Sequence, residues 1–92
     1  MDLLTEPQIT AELAATPAWS RDGSSIKAVI ERADFRDALL FVGAVAYLAE
    51  RANHHPDITI QWNRVTLTLS THSAGGLTAA DFALARQISS LS

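Results

Sequence analysis

The sequence predicts an α+β fold in which helices pack on one face of an antiparallel sheet, and three observations carry that prediction. Ile58, Ile60 and Trp62 alternate with Thr59 and Gln61, while Val65, Leu67 and Leu69 alternate with Thr66, Thr68 and Ser70, the period-two pattern of two half-buried strands. Asp34 reads as the N-cap of a long helix running to about Ala52, because apolar residues recur beyond it at helical spacing. Capping residues announce two more helices, one near each end of the chain. Helices and hairpin strands that share one apolar side give a two-layer arrangement.

In chain order, Thr5-Glu6-Pro7-Gln8 is a helix start: Thr5 caps, Pro7 is tolerated in the first turn, and Gln8 completes a capping box. Ile9 and Leu13 form a short apolar stripe that Thr16-Pro17 ends. Trp19 follows in an extended stretch, Asp22-Gly23 is a turn signal, and Ile26, Ala28 and Ile30 alternate as a strand, interrupted only by Val29. In the long helix, Phe35, Ala38, Leu39, Val42, Ala46 and Ala49 are expected to face the sheet. Leu40, Phe41, Val45 and Leu48 make its other side apolar too, so a second cover is expected there. A two-residue turn at Asn63-Arg64 would pair Trp62 with Val65, Ile60 with Leu67 and Ile58 with Leu69, all on one face. Gly75-Gly76 breaks the chain, and Thr78 caps a last helix through about Ser90.

With 92 residues, 1–92 is expected to be a single domain. Its hydrophobic share of 48% exceeds what so small a core can hide, which predicts self-association. The absence of cysteine excludes disulfides and thiolate metal sites. The start, with Asp2 and Glu6, lacks the basic and apolar character of a secretory signal. The longest apolar run is too short for a membrane span, so no membrane role and a cytoplasmic location are expected. A net charge of −3 with scattered Lys and Arg argues against nucleic-acid binding.

All three histidines flank the predicted hairpin. His54 and His55 precede its first strand and His72 follows its second, and in an antiparallel pair those two ends are neighbours. Pro56 holds His55 extended. Imidazoles exchange protons near neutrality, so two of them on opposite sides of a substrate can serve as acid and base. The duller alternative is that each histidine hydrogen-bonds the backbone at an element's end. A zinc site is a third possibility, disfavoured because adjacent residues in an extended segment point to opposite faces. Asp81, third in the helix after Thr78, completes a cap whether or not it also orients an imidazole. Glu50 lies one turn before His54 and within its reach, although a solvated charge explains it as well. Trp19, outside the regular pattern, is a candidate pocket wall, whereas the core alone accounts for Trp62.

Glu50, Asn53-His54-His55-Pro56-Asp57, the aromatic Trp62, Ser70-Thr71-His72, Gly75-Gly76-Leu77-Thr78 and Asp81 form an ordered set that resembles the pterin-4a-carbinolamine dehydratases. The similarity runs from about Trp19 to the C-terminus and includes Asp34-Phe35. It implies about three helices on one face of a four-stranded antiparallel sheet, with homodimers or homotetramers formed through the Asp34–Ala52 helix. It also implies loss of water from 4a-hydroxytetrahydropterin to give quinonoid dihydropterin, with the pterin as substrate and no cofactor or metal. His54, His55 and His72 would be catalytic or substrate-binding, supported by Asp81, with Asn53, Ser70, Thr71 and Ser73 in substrate-contacting segments. An acid must protonate the departing hydroxyl while a base takes the N5 proton; His54 as base, His72 as acid and His55 as the ring-orienting group is the expected division. The chain departs from the family pattern at Val29 and Ile30, where aromatics are frequent, and at Asn53, a place often held by Asp. Relatives of this family also act as dimerisation or assembly partners, so a non-catalytic module is the alternative; retention of all three histidines favours the enzyme.

Overall fold

A computed structural model describes residues 2–91. The elements in order are α1 (Glu6–Ala15), β1 (Ser20–Asp22), β2 (Ser25–Glu31), α2 (Phe35–Ala52), β3 (Asp57–Gln61), β4 (Arg64–Leu69), a 3₁₀ turn (His72–Ala74) and α3 (Ala79–Ser89). The four strands form one antiparallel sheet in the order β1-β2-β4-β3. Each helix begins where its capping residue predicts: Thr5 and Gln8 cap α1 reciprocally, Asp34 accepts the Asp37 N–H, and Thr78 and Asp81 cap α3 reciprocally. Gly23 takes a φ of +62° in the link between β1 and β2, a left-handed backbone in which a side chain would be strained.

Strand alternation sends Ile26, Ala28, Val65, Leu67 and Leu69 to one side of the sheet, where they are buried. Ala38, Phe41, Val45 and Ala49 of α2, Phe82, Leu84, Ala85 and Ile88 of α3, and Ile9 of α1 complete the same core. The helices therefore cover one sheet face, as the sequence predicts. Among the described residues no helix is long and apolar enough to cross a membrane.

The rotation of α2 about its axis differs from the expectation. Phe35, Leu39 and Ala46 are exposed, while Phe41 and Val45, expected outside, lie in the core. A helix apolar on both sides does not encode its own rotation. The choice is made by tertiary contacts: the Arg32 guanidinium bonds Asp37 at 3.1 Å and sits 4.7 Å above the Phe41 ring. The Ala33 N–H and that guanidinium hold the Asp37 carboxyl below its ordinary range. Phe35, Leu39, Leu40 and Tyr47 are left as an exposed apolar stripe.

The β3–β4 hairpin is also corrected. Its turn is Trp62-Asn63 rather than Asn63-Arg64, so Ile60 pairs with Val65 and Ile58 with Leu67. A shift of two residues preserves every facing, which is why alternation alone could not choose between the registers. Asn63 decides it: its Nδ2 donates to the Arg32 carbonyl at 2.9 Å, and its own carbonyl accepts the Arg32 N–H at 2.8 Å. Trp62 is consequently not a core residue. It occupies the turn at φ +55° and is 67% exposed.

Candidate active site

Two segments leave the same end of the sheet beside one another, because β3 begins at Asp57 opposite Thr68 near the end of β4. The first contains His54 and His55. α2 closes with Asn53 in the left-handed conformation at φ +49°, the Asn53 N–H bonding Glu50 O and the His54 N–H bonding Ala49 O. This Schellman closure turns the chain back over the helix end and fixes where His54 begins. Asparagine is among the few residues other than glycine that tolerate such a backbone, which gives Asn53 a local structural reason to be there.

His54 points inward and reaches α3. Its Nε2 lies 2.6 Å from Oδ1 of Asp81, whose side chain has no exposure while that of His54 has 15%. The other carboxylate oxygen, Oδ2, accepts the Thr71 hydroxyl at 2.8 Å and the Thr78 N–H at 2.9 Å. A carboxylate only accepts, so a proton of the His54 ring resides on Nε2, and in the neutral ring Nδ1 carries the lone pair. Among the described residues no buried polar side-chain atom lacks a partner. Nδ1, which makes no bond among the described residues, is therefore open to solvent. The cap and the orienting role considered for Asp81 coexist, and the imidazole it holds is His54 rather than His72.

His55, held extended by Pro56, turns the other way. Its Nε2 meets Glu50 Oε2 at 2.5 Å on the surface, with 57% of the histidine side chain exposed. Glu50 therefore partners His55 and not His54; an exposed pair of this kind adds little stability.

His72 opens the 3₁₀ turn that follows β4; its carbonyl accepts the Gly75 N–H, and its exposed side chain makes no hydrogen bond among the described residues. The turn is built on Thr71, whose N–H bonds Gly76 O and whose carbonyl accepts from Ala74 and Gly75. Gly75 closes it at φ +76°, a conformation that favours glycine. His72 is thus next in the chain to the residue whose hydroxyl bonds Asp81, which links it to His54 through two side chains.

The remaining candidates separate. Ser73 is exposed beside His72, Ser70 is half-buried, and Thr71 is buried with its hydroxyl already engaged. Trp19 does not wall this site: it is 4% exposed, and its Nε1 donates to Ser89 at the far end of α3 from Asp81. A cavity of about 370 Å³ lies between Leu3, Glu6, Arg21 and the Gly75–Leu77 backbone, and none of the histidines lines it. Nor do three His, Asp or Glu side chains converge to hold a metal ion among the described residues. The three imidazoles accordingly share no common contact: His54 is held by Asp81, His72 follows Thr71 in the chain with its own side chain exposed, and His55 turns to Glu50 on the surface. The buried role of Thr71 escaped the sequence, because its partner lies ten positions away on another element.

A sequence model of the family described as pterin 4 alpha carbinolamine dehydratase matches residues 2–91. A Nocardia farcinica protein is 51% identical over 90 residues, covering 98% of this chain and 95% of its own, and a Roseiflexus castenholzii protein is 50% identical over 86 residues, covering 94% and 92%. Both carry the name pterin-4-alpha-carbinolamine dehydratase provisionally. A crystal structure of a transcriptional coactivator/pterin dehydratase from Brucella melitensis superposes with a TM-score of 0.93, at 33% identity and 97% coverage of each chain.

Long-range proton–nitrogen NMR correlations of the imidazoles test the geometry. His54 is expected as the Nε2–H form with a bare Nδ1; a proton found on Nδ1 of His54 instead would contradict the carboxylate contact.

Proposed function

We infer the reaction from family and site together: the chain belongs to the pterin-4a-carbinolamine dehydratase family, a family of hydro-lyases, and its reading here is dehydration of 4a-hydroxytetrahydropterin by histidine acid–base catalysis. The observation that carries this reading is the contact of His54 with the buried Asp81 carboxylate, which leaves Nδ1 as a proton acceptor. His54 takes the N5 proton through Nδ1 and becomes an imidazolium beside that carboxylate, where the new charge is stabilised. His72, whose side chain is unengaged among the described residues, protonates the 4a-hydroxyl as the C4a–O bond breaks. The electrons of the N5–H bond form C4a=N5, water leaves, and quinonoid dihydropterin remains. Neither transfer calls for a redox cofactor or a Lewis acid. His55, Asn53, Ser70 and Ser73 border the same end of the sheet and are assigned to binding and orienting the pterin. A cytoplasmic setting accords with a chain that lacks cysteine.

The exposed stripe of Phe35, Leu39, Leu40 and Tyr47 supports the second part of the reading, a homo-oligomer formed through α2. The same stripe would serve the alternative function, a non-catalytic dimerisation or assembly module, and activity separates the two.

Stopped-flow absorbance with synthetic 4a-hydroxytetrahydropterin is expected to show decay well above the buffer rate. His54→Ala and His72→Ala should each lose roughly 10²–10⁴-fold, and His55→Ala less. Decay at the buffer rate with the unmodified protein would reject the enzyme in favour of the module. Light scattering tests the assembly: a Leu40→Glu/Tyr47→Glu variant should be monomeric where the parent is not, and an unchanged mass would remove α2 as the interface.

A further inference from the structure

We propose that Thr71 is a positioning residue that acts on His54 through Asp81, and that its hydroxyl makes no contact with substrate. The proposal rests on the histidine reading above and changes the role of Thr71, which the family resemblance puts in a substrate-contacting segment. Thr71 is 8% exposed, and its Oγ1 lies 2.8 Å from Thr78 Oγ1 and 2.8 Å from Asp81 Oδ2. The proton directions follow from the donor inventory. Asp81 can only accept, so the single Thr71 hydroxyl proton goes to Oδ2, and the Thr78 hydroxyl must then donate to Thr71. Thr78 Oγ1 in turn accepts the Ala80 N–H at 3.2 Å. Thr71 has no proton left for a ligand.

The consequence falls on the carboxylate. With the Thr71 hydroxyl and the Thr78 N–H both on Oδ2, rotation of the carboxyl group would break two bonds, so Oδ1 stays aimed at His54. The backbone of Thr71 meanwhile frames the turn that begins at His72. One residue therefore sets the aim of the first histidine through its side chain and the location of the second through its main chain. Replacement by valine keeps the shape and the backbone and removes only the hydroxyl.

The test compares Thr71→Val and Thr71→Ser with the parent protein by two readouts: dehydration kinetics with 4a-hydroxytetrahydropterin, and the imidazole Nε2–H proton resonance of His54. Thr71→Val is expected to lose about 10–100-fold in kcat with KM changed by no more than about twofold, since misaim affects the reacting geometry more than binding. It should also lose or broaden the Nε2–H signal, and Thr71→Ser should restore both. A folded Thr71→Val with parental kcat and an unchanged signal overturns the proposal. So does a folded Thr71→Ser that loses the signal, which keeps the test decisive should the valine variant fail to fold. The resonance needs no turnover, so it judges Thr71 even if the parent protein proves inactive and the proposed reaction fails.

Discussion

Asp81 is fully buried, and a carboxylate withdrawn from water is costly unless its oxygens are hydrogen-bonded. Here they accept from His54, Thr71 and the Thr78 backbone, groups drawn from the exit of α2, the exit of β4 and the start of α3. The requirement to satisfy one side chain thus brings three parts of the chain to a common point. It caps α3, fixes the path after β4, and sets the tautomer of an imidazole whose other nitrogen faces solvent. Removing any one donor would leave the rest of the network with an unmet acceptor in a dry environment, which is why structure and chemistry are hard to separate at this site.

The same arrangement divides the histidines. Adjacent residues in extended chain point to opposite sides, so His54 turns in toward Asp81 while His55 turns out toward Glu50. His72 reaches the site by a different route, as the residue after Thr71. Only His54 is held by buried side chains; His72 is placed by the backbone of its turn, and His55 is governed by surface electrostatics, which is weak and screened by salt.

What the sequence made legible was chiefly local. The reciprocal caps at Thr5–Gln8 and Thr78–Asp81, the N-cap at Asp34 and the alternation of β4 are each encoded within a few residues, and the structure contains all of them. The family and its fold were legible too, from an ordered set of motif residues. The rotation of α2 was not, because Leu39 and Phe41 are both apolar and the buried side is set by contacts outside the helix, Arg32 over Phe41 among them. The hairpin register was not, because a shift of two keeps Ile58, Ile60, Val65 and Leu67 on the same face, and the choice depends on Asn63 meeting Arg32. Trp19 looked free of the core because its partner Ser89 is 70 positions away. In each case the missing information is a contact made outside the residue's own element, with no local signature.

If Asp81 serves catalysis by holding His54, the two residues act as a unit and their losses must not multiply. The direct measurement is a double-mutant cycle of His54→Ala and Asp81→Asn on the dehydration rate constant, restricted to variants that retain the folded circular dichroism spectrum. The expected result is a double variant no slower than His54→Ala alone. Losses that multiply across the two substitutions would show that Asp81 acts independently of His54, and would contradict the coupling on which the site is built.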